Sequence, residues 1–280
     1  MSTATVVGSG PNGLAAAIVL AEAGLEVTVV EARDAIGGGT RTAELTEPGL
    51  LHDVCSAAHP FAVASSFFRD RDFFRAESLE LAQPEIPVAH PLDGAVAGHL
   101  SQSFDESSPM LSQDARRWQQ LFGPLVESFG DVADDVLRPL PNIPKHPVLF
   151  ARFGMLAGLS GRRLAKLFGA PETQALLAGN AAHIMRPLTR PATASVGTIL
   201  TAAAHAVGWP VPVGGSAAIA QAMADRLIGL GGRVETGREV TDIADLDADV
   251  VMLDISPAAV LDLYGDRLPS SVSFWFRRWK

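Results

Sequence analysis

The chain has 280 residues, 48% hydrophobic and 19% charged, with a formal net charge of −9, a composition that fits about two folded domains and excludes a disordered chain. The acidic balance argues against a nucleic-acid or anionic-membrane partner, and a single cysteine, Cys55, excludes an internal disulfide. No signal peptide is visible, and the apolar stretch Leu14 to Leu25 is too short for a membrane span and is interrupted by Glu22, so a cytoplasmic protein with no integral span is expected.

Thr3 to Val7 reads as a short buried strand that runs into Gly8-Ser9-Gly10-Pro11-Asn12-Gly13, a G-x-G-x-x-G. Leu14 to Ala23 reads as a helix closed by Gly24, and Glu26 to Val30 as a second strand ending in Glu31. In such a βαβ unit Gly8 permits the tight turn, Gly10 lets backbone approach a pyrophosphate, and Gly13 lets helix and strand pack closely. The helix N-terminus offers N–H groups and a positive dipole end to phosphate. Glu31 lies 18 positions after Gly13, close to the spacing of about 20 expected for an acid that meets a ribose hydroxyl. The acid disfavours NADP but does not separate NAD from FAD.

The next stretch makes that distinction. A second glycine cluster, Gly37-Gly38-Gly39, is followed by Arg41 and Thr42. Such a turn brings another backbone segment to a diphosphate, and an arginine beside it can partner phosphate charge. A plain NAD fold needs no such loop.

On these residues the sequence resembles the FAD-dependent oxidoreductases of the phytoene desaturase and flavin amine oxidase superfamily, and most closely its phytoene-dehydrogenase-like members. The resemblance implies that the βαβ unit binds the ADP half of FAD and that a glycine–glycine–arginine element lines the diphosphate and flavin. Gly8, Gly10, Gly13, Glu31, Ala32, Arg33, Gly37 and Gly38 match by position, and Pro11, Asn12, Gly39, Arg41 and Thr42 complete the candidate cofactor set. One departure is that Gly39 stands where many members carry arginine, with Arg41 two positions later.

Gly49 to Phe68 continues the resemblance. His52, Asp53 and His59 there suit acid–base work, although a structural role is the commoner reading, and Cys55 reads as a buried small hydrophobe. Arg138 to Phe150 is a proline-punctuated connection. Ala115 to Val136, Gly161 to Gly179 and Ala194 to Gly208 carry apolar residues at helical spacing. This region is similar to the mostly helical substrate or cap region of the family, whose apolar tone suits either a hydrophobic substrate channel or plain core. Asp131, Asp134 and Asp135 share a helical face and read as solvated, since they lack a calcium-loop pattern. No i, i+4 histidine pair and no G-x-S-x-G occurs, so no metal site or hydrolase elbow is expected.

Gly214-Gly215 then opens a helix with apolar Ile219, Met223, Leu227 and Leu230, ended by Gly231-Gly232. The glycine pair is either an ordinary helix start or part of the family's return to the FAD domain. Arg233 to Ile243 reads as two short strands joined at Thr236-Gly237, and the resemblance implies that Val240 meets the adenine through its backbone. Ala248 to Pro257 reads as one more parallel strand. Family members continue beyond this point, whereas this chain ends in Ser271 to Lys280, with Trp275, Phe276 and Trp279 exposed unless something packs on them.

The expected fold is therefore α/β: a Rossmann-like FAD-binding domain with an inserted, mostly helical substrate or cap region and the C-terminal part of the family fold missing. The expected divisions are 1–75 and 206–256 for the FAD domain, 76–205 for the helical region and 257–280 for a truncated start of the next segment. The expected function is hydride transfer from a C–H or C–N bond of an unidentified small-molecule substrate, an apolar one being a candidate, to FAD, with no catalytic base assignable. A partner chain completing a split or truncated fold, a naturally short scaffold and an NAD-dependent dehydrogenase are the alternatives.

Overall fold

The computed structural model describes residues 2–76, 79–94, 96–105, 111–138 and 143–279. Two units are present: one comprises Met1–Ala57, Arg75–Glu80 and Pro212–Lys280, the other Ala58–Phe74 and Leu81–Val211.

The first unit is built on a four-stranded parallel sheet. Its strands are β1 (Thr3–Val7), β2 (Glu26–Val30), β5 (Arg233–Glu235) and β6 (Val250–Leu253), in the spatial order β6-β1-β2-β5. The register aligns Val6 with Val29 on one side and with Met252 on the other. Helix α1 (Pro11–Glu22) connects β1 to β2 and packs on both, with Leu14, Ala17 and Ile18 buried on its inner face and Val6, Val27 and Val29 buried on the strands. Helix α2 (Ala217–Gly229) packs beside α1, with Ile219, Met223 and Leu227 buried; Leu230 falls past the helix end and is exposed. A small antiparallel hairpin of β3 (Thr42–Glu44) and β4 (Leu51–Asp53) follows the second glycine cluster. After β6 come α3 (Pro257–Tyr264), started by Ser256 and Pro257, and α4 (Ser270–Phe276). The chain end thus forms a helix, because the Pro269 carbonyl accepts from the Val272 and Ser273 N–H groups. Trp275 and Trp279 are exposed and Phe276 is half-buried.

Only the first of the two strands expected over Arg233 to Ile243 forms. Gly237 N–H donates to Arg33 O and Arg238 N–H to Glu31 O, both at 2.9 Å. The segment after β5 is therefore tied to the end of β2 instead of pairing as a new strand.

The second unit is mostly helical, with helices at Ala115–Glu127, Phe129–Val136, Pro147–Ala157, Gly161–Ala165, Pro171–Ala182 and Ala194–Ala206, and a hairpin of Val88–Leu92 with Val96–Leu100. The helical pattern of 115–136 is broken at Ser128, whose backbone leaves the helical region. Of the proline-punctuated connection, residues 139–142 lie outside the described set, and Pro147 begins a helix that takes in Val148 to Phe150. The core gathers around Trp118, Phe122, Phe168, Leu176 and Leu177; truncating a buried aromatic such as Trp118 costs about 3–5 kcal/mol. Helix Ala194–Ala206 is buried nearly all round, and a Cβ on Gly197 would lie 2.9 Å from the Ala181 Cβ, so a small residue lets the two helices touch.

The chain passes between the units at 57/58, 74/75, 80/81 and 211/212, where the sequence placed single divides near 75 and 205. Phe61 and Ala64, early in the chain, pack into the helical core and draw their segment with them. Two polar expectations are also corrected. Asp135 is buried, because its carboxylate accepts the Lys145 N–H at 2.8 Å and the His146 N–H at 2.9 Å, while Asp131 remains exposed. Cys55 is an exposed free thiol in a bend, between Val54 and Ser56, whose N–H groups donate to Arg41 O and Gly39 O.

Candidate functional site

In the first unit, β1 lies between β2 and β6, so the carboxyl ends of the strands meet at a switch in connection order, the place where open α/β sheets bind ligands. A cavity of about 750 Å³ opens there, lined by Gly8 to Asn12, Glu31, Ala32, Gly38, Gly39, the segment Arg238 to Thr241, and Asp254. That volume falls within the roughly 300–1,000 Å³ of small-molecule sites.

The first glycine loop leads directly into α1, with Gly10 as its N-cap and Pro11 at the first helical position. Pro11 has no N–H to satisfy and fixes the starting φ, so the helix begins sharply at the cavity wall. The second loop is fastened to the first: Gly37 N–H donates to Ser9 O at 3.0 Å. Gly38 has φ +53, and a Cβ on it would lie 3.1 Å from the Gly10 Cα, so the two backbones approach where a side chain would not fit. Among the described residues, no acceptor meets the N–H groups of Gly10, Asn12, Gly38 or Gly39. Four backbone donors without partners around one cavity, at the positive end of a helix, form a cradle suited to an anion.

Glu31 closes the cradle on the β2 side. Its Oε2 accepts the Ser9 N–H at 3.0 Å and the Ser9 hydroxyl at 2.6 Å, and its Oε1 accepts the Arg33 N–H at 3.0 Å. Burial pushes the carboxyl up, but the Ser9 hydroxyl, the Arg33 and Ser9 amides and the Arg33 charge outweigh it and hold it below its ordinary value. Three donors use three of about four acceptor positions on an ionised carboxylate, leaving one for a ligand hydroxyl.

The remaining sequence candidates divide clearly. Val240 lines the cavity. Gly13, Gly37, Arg33, Arg41 and Thr42 are not among the residues that line it. Gly13 is buried and its N–H donates to Asp254 Oδ2 at 2.8 Å. Arg41 Nε donates to the Gly38 carbonyl at 2.8 Å, which holds the second loop from behind. Thr42 Oγ1 donates to Asp53 Oδ1 at 2.7 Å and accepts the Ala217 N–H at 3.0 Å. Asp53 Oδ1 also accepts the Ser216 N–H at 2.7 Å, so Asp53 joins the hairpin to the start of α2. His52 Nε2 lies 2.7 Å from the Thr46 hydroxyl, and His59 precedes a short helix of the second unit, its N–H donating to Pro210 O. Among the described residues, no group of three or more His, Cys, Asp or Glu side chains is placed to hold a metal.

Sequence reasoning missed Asp254. It follows the last strand and looks like an ordinary loop acid; only the pairing of β6 with β1 carries it to the glycine loop.

Residues 6–71 match the NAD(P)-binding Rossmann-like domain family. The whole chain superposes on several solved structures, each at low identity. An oxidoreductase from Methanosarcina mazei is 20% identical with a TM-score of 0.63, and 99% of this chain covers 64% of that one. A CLA-producing fatty acid isomerase from P. acnes is 17% identical with a TM-score of 0.62, at 99% and 63% coverage. Cyclohexylamine oxidase from Brevibacterium oxydans IH-35A is 17% identical with a TM-score of 0.55, again at 99% and 63%. No curated protein matches the sequence. The chain therefore shares its α/β fold with these proteins and spans somewhat less than two thirds of their length. No helix among the described residues is long and apolar enough to cross a membrane.

Proposed function

We propose that this chain holds FAD in the cavity of its first unit and forms part of an FAD-dependent oxidoreductase related to the phytoene-dehydrogenase-like and amine-oxidase-like enzymes. The reading rests chiefly on the approach of Gly38 to Gly10, which sets two glycine backbones against one anion-binding cradle. The Rossmann-domain match and an oxidoreductase and an amine oxidase among the structures of like fold support it.

The residues present fit a dinucleotide. Gly10, Asn12, Gly38 and Gly39 offer amides to the diphosphate, Glu31 offers an acceptor to a ribose hydroxyl, and Val240 lines the same cavity for the adenine. When bound, the flavin accepts a hydride or two electrons from a C–H or C–N bond of the substrate. This chain's part is to bind and orient that cofactor; no proton-transferring residue is assigned, and an apolar small molecule is the proposed substrate class.

Visible absorption of the purified protein, recorded before and after incubation with FAD and desalting, tests the reading. A retained flavin band is expected. A colourless, folded protein that binds NAD instead overturns FAD as the cofactor.

A further inference from the structure

We propose that Asp254 is a positioning residue of the glycine loop whose negative charge also weakens capture of a dinucleotide diphosphate. This inference rests on the dinucleotide reading of the site and concerns how tightly the cofactor is held.

The placement follows from the sheet. Past the end of β6, the Asp254 N–H donates to Val7 O at 2.8 Å, continuing the pairing with β1 by one residue. That brings the side chain to the carboxyl end of β1, where the glycine loop begins. Its Oδ2 accepts the Gly13 N–H at 2.8 Å. Helix α1 receives no side-chain cap from its own N-cap residue, Gly10. Asp254 therefore supplies the missing acceptor from 241 residues away. The loop is shaped around this carboxylate. A Cβ on Gly10 would lie 2.9 Å from Asp254 Oδ2, and one on Gly13 would lie 3.0 Å from it.

The same carboxylate lines the cavity together with Gly10 and Asn12, whose N–H groups are without partners. A helix N-terminus favours negative charge. Here an internal negative charge already uses part of that potential and stands beside the place a diphosphate would take. The wall adds Glu31, Glu239 and Asp262, while the Arg238 guanidinium on the same wall is bonded to Glu235. The carboxylate thus holds the loop in shape and at the same time repels the anion that the loop would bind.

These two effects separate experimentally. Asp254→Asn keeps an oxygen to accept the Gly13 N–H and removes the charge; Asp254→Ala removes both. The measurement is the FAD dissociation constant of the full chain and each variant, by calorimetric titration at about 20 mM and about 500 mM NaCl. Asp254→Asn is expected to bind on the order of three- to tenfold more tightly than the parent at low salt, the scale of one charge at a helix terminus. That gain should shrink toward unity at high salt as the repulsion is screened. Asp254→Ala should bind less tightly than Asp254→Asn and melt at lower temperature; if it does not fold, the Asn comparison decides alone. An Asn variant that binds no better than the parent, or a gain indifferent to salt, overturns the proposal. If parent and Asn variant are both folded by circular dichroism and bind neither FAD nor NAD, the dinucleotide reading fails, and this inference with it.

Discussion

Acid should loosen the helical unit through His205. The imidazole is buried in the core: Trp118 Nε1 donates to its Nε2 at 3.0 Å, the Phe104 ring stacks on it with centroids 4.3 Å apart, and its Nδ1 lies 3.3 Å from the Gln102 carbonyl. Burial pushes its pKa from 6.5 down to about 4, against the opposing pull of the Gln102 and Ser101 backbone. In the unfolded chain the ring takes up a proton near pH 6.5, while in the fold it stays neutral down to about pH 4. Its contribution to stability is therefore complete above pH 6.5 and drains away as the pH falls to 4. The difference corresponds to about 3 kcal/mol. Protonation at Nε2 also deprives the Trp118 N–H of its acceptor. Urea unfolding followed by tryptophan fluorescence, at intervals between about pH 7 and pH 4, reads this directly. Burial lowers His90 as well, with the charge of His183 adding to it, so the informative quantity is the difference from His205→Gln, which retains an acceptor but does not titrate. The parent should lose about 3 kcal/mol more than the variant across that range. Parallel pH profiles for the two proteins would refute the burial of a neutral His205.

Three further outcomes follow from the site. Gly38→Ala adds a Cβ to a φ +53 residue, 3.1 Å from the Gly10 Cα; FAD affinity should fall at least about tenfold while the far-ultraviolet circular dichroism is unchanged, as titration and spectrum together will show. Glu31→Gln weakens the charge-assisted bonds to Ser9 and Arg33 and should loosen FAD on the order of tenfold by the same titration. Asp53→Ala removes the carboxylate that accepts from both the Thr42 hydroxyl and the Ser216 N–H and should destabilise the first unit by about 2 kcal/mol, measured by urea unfolding.

The βαβ unit could be read directly because its parts are neighbours in sequence. The strand Thr3–Val7, the glycines, a helix rich in alanine and leucine and a β-branched second strand each specify their own local structure, and they agree with one another. A further strand was legible over Ala248 to Pro257 as a short apolar run, of which only Val250–Leu253 forms, because Ser256 and Pro257 start the next helix. Partners set by tertiary structure were not legible. Asp135 looked like one of three solvated acids until two backbone N–H groups from the following connection met it. Arg238 to Thr241 had strand composition, but Arg238 N–H bonds the Glu31 carbonyl and the segment becomes a cavity wall. Arg41 was a candidate for phosphate charge, yet its Nε turns back to the Gly38 carbonyl. Asp254 carried no local signal, since its partner Gly13 lies at the other end of the chain.

The most direct test of the account is a calorimetric titration of FAD into the full chain, with NAD and NADP run in parallel and Gly38→Ala as the control. Saturable FAD binding that exceeds both nicotinamide dinucleotides and is lost in Gly38→Ala is the predicted result. Equal binding by Gly38→Ala and the parent, or tighter binding of NADP than of FAD, would contradict the assignment of the paired glycine loops and Glu31 as a flavin dinucleotide site.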